Sequence, residues 1–80
     1  MEIYIGNLPN NYSEEELKET FSQFGELKSA KIILDPITHE SKGYGFVEMK
    51  NAEEGQRAID QLDGQTIYGK TIFVSKAHLY

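Results

Sequence analysis

The chain has no cysteine and no tryptophan, only two prolines, and a single arginine. Without cysteine there is neither a disulfide nor a thiolate metal site, which excludes a secreted disulfide scaffold. No apolar run approaches the roughly 18 to 20 residues needed to cross a bilayer. The opening Met1-Glu2-Ile3-Tyr4-Ile5 lacks a basic segment followed by an apolar stretch, so no signal peptide is expected. An intracellular location follows as the default: cytoplasmic in a bacterium, nuclear or cytoplasmic in a eukaryote. Basic charge is also scarce, eight lysines and arginines against thirteen acids, for a net charge of −5.

What is present is enough for one small domain over residues 1–80. A chain of 80 residues buries only about 60% of its unfolded surface, so its core must be compact. A hydrophobic fraction of 39%, with five tyrosines and four phenylalanines, can supply that core.

Met1 to Gly6 alternates, with Ile3 and Ile5 on one face and Tyr4 on the other, as in a half-buried strand. Asn7-Leu8-Pro9-Asn10-Asn11 is rich in turn formers. Ser13 with Glu16 three residues later makes a capping box, and Leu17, Phe21 and Phe24 follow at helical spacing. Gly25 then stops the helix as a C′ residue would. Leu27 to Asp35 reads as a second strand, Pro36 to Ser41 as a loop, and Lys42 to Lys50 as a third strand. Asn51 caps a second helix, whose inner face is Ala52, Gly55, Ala58, Ile59 and Leu62. Asp63-Gly64 is a turn, Ile67-Tyr68 a short extended piece and Gly69-Lys70 another turn. Thr71 to Ser75 is the last strand, Ile72 and Val74 inward, Phe73 and Ser75 outward. The expected fold class is α+β: a ferredoxin-like βαββαβ sandwich with two helices on one face of a four-stranded antiparallel sheet.

The third strand poses a problem of phase. Lys42, Tyr44, Phe46 and Glu48 point one way; Gly43, Gly45, Val47 and Met49 point the other. Val47 and Met49 suit a core, and the glycines would leave room for helix side chains to approach. Tyr44 and Phe46 are therefore sent to the uncovered face. An aromatic in a strand is ordinarily core, but a one-residue slip here would expose Val47 and Met49 instead. Tyr4 meets the same fate on the first strand. Three exposed aromatics on one face call for a partner.

Lys42 to Met49 resembles the eight-residue signature of the RNA recognition motif family, [K/R]-G-[F/Y]-[G/A]-[F/Y]-V-x-[F/Y]. Ile3-Tyr4-Ile5-Gly6-Asn7-Leu8 resembles the family's six-residue partner motif. The resemblance spans the whole chain and is similar to small proteins with a single such motif. It implies a sheet order of 4-1-3-2 and single-stranded RNA as ligand, with Tyr4 and Phe46 each stacking a base. Tyr44 would pack against a sugar or bridge two nucleotides, and Lys42 would meet a phosphate. Lys31, Phe73 and Lys76 would assist from the neighbouring strands. Asn7 has two readings, a base-edge contact or a turn-stabilising residue. Met49 replaces the motif's final aromatic, and the loop from Pro36 to Ser41 lacks the arginines many members place there.

Charge distribution tempers this. Seven of the thirteen acids (Glu14, Glu15, Glu16, Glu19, Glu53, Glu54 and Asp60) fall on the two helices, behind the sheet. They lie beyond a Debye length of about 8 Å and are largely screened. Lys31 and Lys42 face the open side, with Lys28, Lys70 and Lys76 as a rim, while Glu2 and Glu48 on the same face oppose phosphate. Modest affinity with a shallow salt slope is expected.

Two other classes compete. Enzymes share this architecture, but the lone Arg57 lies on a helix, and His39 and His78 read as solvated residues in a loop and a tail. Gly43-Tyr44-Gly45 sits inside a strand, so it is no dinucleotide fingerprint, and no carboxylate pair has acid/base spacing. No catalysis, metal or cofactor is expected. The serious rival is a protein-interaction module docking a basic partner on the acidic helices, although a Glu-rich helix start is ordinary dipole chemistry. Single-stranded DNA is the alternative polymer, since stacking does not sense the 2′-hydroxyl. A monomer is expected, with the exposed Phe73 a route to self-association. Tyr80, in the tail His78-Leu79-Tyr80, offers a further stacking ring if that tail folds over the sheet.

Overall fold

The computed structural model describes residues 1–77. The elements in chain order are β1 (Glu2–Gly6), α1 (Glu14–Ser22), β2 (Leu27–Leu34), β3 (Ser41–Met49), α2 (Ala52–Leu62), β4 (Thr66–Ile67), β5 (Lys70–Thr71) and β6 (Phe73–Lys76). Four strands form one antiparallel sheet in the order β2-β3-β1-β6. With β6 counted as the fourth main strand this is the expected 4-1-3-2. The pair β4–β5 forms a separate two-stranded sheet. Among the described residues no helix is long and apolar enough to cross a membrane.

The alternation read from the sequence sets the layers. Ile3, Ile5, Val47, Met49 and Val74 are buried on the sheet face that meets the helices, and Leu17, Phe21 and Ala58 are buried opposite them. Burying such a side chain contributes roughly 1.5–3 kcal/mol, which holds both helices on one face. Ser13 accepts from the Glu16 amide at 3.1 Å while the Glu16 carboxylate accepts from the Ser13 amide at 3.1 Å, completing the expected capping box. Asn51 Oδ1 accepts from the Glu54 amide at 3.0 Å to start α2. Tyr12, which carries no sequence pattern, is also buried; its hydroxyl meets Thr20 Oγ1 at 2.5 Å, and burial pushes its pKa up.

Five local expectations are corrected. Helix α1 ends at Gln23 in right-handed geometry, before Gly25. Gly25 is no left-handed cap: the Glu54 side chain of α2 lies where its Cβ would be. Gly43 and Gly45 do not make room for helix side chains. Gly43 has φ +86°, and a Cβ on Gly45 would come 2.5 Å from the Lys31 carbonyl, so it is the neighbouring strand that approaches. Ala52 is exposed, and α2 instead turns Gly55 and Ala58 inward, with Ile59 and Leu62 partly buried against the core. Finally, Thr71 is not part of the main sheet. Tyr68 and Gly69, with φ of 48° and 82°, form the two-residue turn of the β4–β5 hairpin, and the main strand resumes at Phe73. Both turn residues at positive φ match the twist of a tight hairpin. Residues 78–80, on which the readings of His78 and Tyr80 fall, lie outside the described residues.

Candidate nucleic-acid interface

Register turns the alternation into rows on the face that no helix covers. One row runs Phe73, Gly6, Tyr44 across β6, β1 and β3. The next runs Ser75, Tyr4, Phe46, Lys31 across all four strands. A third brings together Glu2, Glu48 and Ser29. Directly opposed side chains in an antiparallel pair share a face, so the rings of Tyr4, Tyr44 and Phe46 converge. The Tyr4 centroid lies 6.1 Å from that of Tyr44 and 5.7 Å from that of Phe46, and Tyr44 and Phe46 are 6.2 Å apart. A Cβ at Gly6 would fall 2.7 Å from the Tyr4 hydroxyl oxygen, so the missing side chain lets that ring lie along the strand. The three rings are half-buried by one another, and Phe73 beside them is 59% exposed.

The face is electrically two-ended. Its far end carries Glu2 opposite Glu48, with Lys28 Nζ 4.0 Å from the Glu48 carboxylate. That pair is solvent-exposed and contributes little. The near end, where β1 leaves the sheet and β3 enters it, holds a cleft of about 370 Å³ lined by Lys42, Tyr44, Lys70, Phe73 and Asn7 among others.

Of the residues expected to bind, Tyr4, Tyr44, Phe46, Lys31 and Phe73 share the open face, and Lys42 stands at its near end. Lys76 does not join them. It is in register with the inward Ile3 on the edge strand, two residues from the buried Val74, and so lies on the helix side. Asn7 has φ 60° and its amide Nδ2 donates to the Thr71 carbonyl at 2.6 Å, the geometry of the turn-stabilising reading. His39 is exposed at the β2–β3 turn, also at positive φ (63°). There Asp35 Oδ1 accepts from the Ile37 and Thr38 amides at 2.8 and 3.0 Å, which holds the Asp35 carboxyl below its usual pKa.

The sequence reading left Lys70 at the rim and missed the hairpin that carries it. The hairpin tip is docked on α1: the Tyr68 hydroxyl donates to the Glu16 carboxylate, and its ring meets that of Tyr12 edge-on at 6.3 Å. This bond, with those from Ser13, pulls the Glu16 pKa down, and the same carboxylate pushes that of Tyr68 up. The available signal was Tyr68-Gly69 between the β-branched Thr66-Ile67 and Thr71-Ile72.

Residues 3–72 match the model of the RNA recognition motif. The chain is 41% identical over 75 residues to a 28 kDa chloroplastic ribonucleoprotein of Nicotiana sylvestris, covering 94% of this chain but only 27% of that relative. In structure it is similar to an RNA-binding protein designated PG1, with a TM-score of 0.95, 39% identity and coverage of 100% of this chain and 96% of the other. It is likewise similar to the protein of an SXL-lethal protein/RNA complex, with a TM-score of 0.95, 32% identity and coverage of 99% and 47%. With the family model matched over residues 3–72 and the fold in agreement, the chain belongs to the RNA recognition motif family.

Proposed function

We propose that this domain binds short single-stranded RNA across its open sheet face. The observation that carries the reading is the cluster of Tyr4, Tyr44 and Phe46, three rings within 6.2 Å of one another on the side away from both helices. A solved relative in complex with RNA, of the same fold, supports it. Tyr4 and Phe46 each offer a ring to a base, Tyr44 packs against the sugar between them, and Lys42 meets a phosphate. Lys31, level with Phe46, and Phe73, level with Tyr44 through Gly6, extend the platform sideways.

Magnitudes set the footprint. Base stacking is worth about 1–3 kcal/mol per base, so two bases give roughly 2–6 kcal/mol. Micromolar binding requires about 8 kcal/mol. Stacking alone therefore falls short, and the lysines must supply the difference. A site of two to four nucleotides, roughly, with modest affinity follows.

The test is fluorescence anisotropy with labelled random-sequence RNA and DNA oligonucleotides, comparing wild type with the double variant Tyr44→Ala/Phe46→Ala. Loss of RNA binding in the variant, with its circular dichroism unchanged, is the expected result, and the DNA curve measures selectivity. Wild type that binds neither polymer at low salt would overturn the reading and turn attention to the acidic helices as a protein-docking surface.

A further inference from the structure

We infer that the β4–β5 hairpin is a phosphate-holding arm, with Lys70 and Lys42 together gripping the RNA backbone where it leaves the aromatic platform. The inference rests on the proposed RNA-binding reading and adds a residue and a supporting element that the two sequence motifs do not contain.

The cleft at the near end of the sheet is where the argument starts. Lys42 enters it from the start of β3 and Lys70 from the hairpin, and Tyr44 and Phe73 contribute aromatic surface. Among the described residues, none that lines it is acidic. At the opposite end of the same strands Glu2 faces Glu48. A polyanion whose bases stack between these ends is repelled by one and attracted by the other, so its phosphates favour the lysine cleft. An isolated surface lysine is ordinarily just solvated. Here two, from separate elements, line one cleft in which no described residue is acidic, beside the rings that take the bases.

The hairpin is also held at both ends, which a passive connection between α2 and β6 would not need. At its base Asn7 Nδ2 donates to the Thr71 carbonyl at 2.6 Å, the residue next to Lys70. At its tip the Tyr68 hydroxyl donates to Glu16, and the Tyr68 ring meets Tyr12. Between them Thr66 pairs with Thr71 and Ile67 with Lys70, and just below the base Ile72 donates to the Gln65 carbonyl at 2.9 Å and Gly64 to the Ile72 carbonyl at 3.0 Å. Tyr68 sits at φ 48°, a region bulky residues seldom adopt and glycine enters freely. A tyrosine at this turn position provides the hydroxyl that ties the arm to α1. The backbone that carries Lys70 is thus held between two anchors rather than swinging on a loose loop, which lowers the ordering cost of its contact. Asn7 and Tyr68 act through Lys70 and are positioning residues.

The experiment measures affinity for a labelled random-sequence RNA octamer between 0.05 and 0.5 M salt, values about as wide as a slope needs. Single-stranded binding falls with a slope of about −0.7 per phosphate neutralised. Lys70→Gln should therefore make the slope shallower by about 0.7, an approximately fivefold loss of electrostatic affinity at 0.1 M salt relative to 1 M. Lys70→Arg, which keeps the charge, should restore most of the slope. Lys18→Gln, on the outer side of α1, should leave it unchanged. Tyr68→Phe keeps Lys70 and the ring contact with Tyr12 but removes the hydroxyl bond to Glu16, and should weaken binding while its melting temperature records any loss of fold. If Lys70→Gln keeps the wild-type slope while Tyr44→Ala/Phe46→Ala abolishes binding, the arm is refuted and the stacking reading stands. If Tyr68→Phe binds as wild type does, the positioning role of the Tyr68–Glu16 bond is refuted. Absence of wild-type binding refutes the RNA reading and this inference with it.

Discussion

Glu2 and Glu48 stand directly opposite one another in the β1–β3 ladder, one row from the Tyr4–Phe46 pair and on the same face. Like charges directly opposed in a sheet are destabilising, and a phosphate crossing this row meets both.

Glu2→Gln is therefore expected to tighten RNA binding. At a separation of roughly 8 Å in water, removing one unit charge changes an affinity by about twofold. The gain should shrink toward nothing at about 1 M salt, where the Debye length falls to about 3 Å. Anisotropy titrations at low and high salt measure both effects. Equal affinities for wild type and variant at low salt would mean that the backbone never approaches this end. Glu2 is the cleaner choice, because Glu48 already lies 4.0 Å from Lys28.

Most of this site was legible because strand alternation is a rigid rule. Once Val47 and Met49 were assigned inward, Tyr44 and Phe46 had no face left but the open one, and both inward residues are fully buried. The capping residues Ser13 and Asn51 were legible for a similar reason, since each acts on an amide three positions away. What escaped depends on contacts distant in sequence. The Tyr68–Glu16 bond joins residues 52 apart, and the Asn7–Thr71 bond joins residues 64 apart. Nothing local to Gly25 or Gly45 announces that Glu54 or the β2 backbone will lie against them. Lys76 was misplaced by a simpler error: β6 alternates, and Lys76 shares the parity of Val74, not of Phe73.

Gly43→Ala tests the backbone beneath the motif. Gly43 has φ +86°, while the nearest atom to an added Cβ is the Leu8 carbonyl oxygen at 3.5 Å, an ordinary contact. The cost is thus conformational rather than steric crowding by neighbours, and should be about 1–2 kcal/mol. Urea denaturation followed by circular dichroism reads it directly. Gly43 lies between Lys42 and Tyr44, and its amide donates to Ser41 Oγ at 3.1 Å while its carbonyl accepts from the Leu8 amide at 2.8 Å. RNA affinity should fall along with stability. A variant as stable as wild type would mean that the strand relaxes into an ordinary extended conformation at no cost.

The Glu16–Tyr68 contact makes a prediction about pH. The hydrogen bond from Tyr68, followed by those from Ser13, holds the Glu16 pKa below its ordinary value of 4.5. A carboxyl whose pKa is lowered on folding adds stability above its unfolded pKa and loses it as pH falls through the lowered folded value. Tyr68 behaves conversely. Its pKa is raised from 10.0 by the same carboxylate, so its contribution is present below about pH 10 and is lost as pH rises through the raised value. Glu16→Gln retains an acceptor for the Ser13 amide and for Tyr68 but cannot ionise. Relative to this variant, wild type should be more stable at pH 7, and the gap should close below the ordinary carboxylate range. Asp35 and Glu26 are also held low, by the Thr38 and Ile37 amides and by Lys50 respectively. Both proteins will therefore lose stability in acid, and only their difference reports Glu16. Urea unfolding at neutral pH and at about pH 3 provides that difference. A gap of equal size at both values would show that the carboxylate charge contributes nothing to the dock, leaving an uncharged hydrogen bond and the Tyr12–Tyr68 ring contact to hold the hairpin tip.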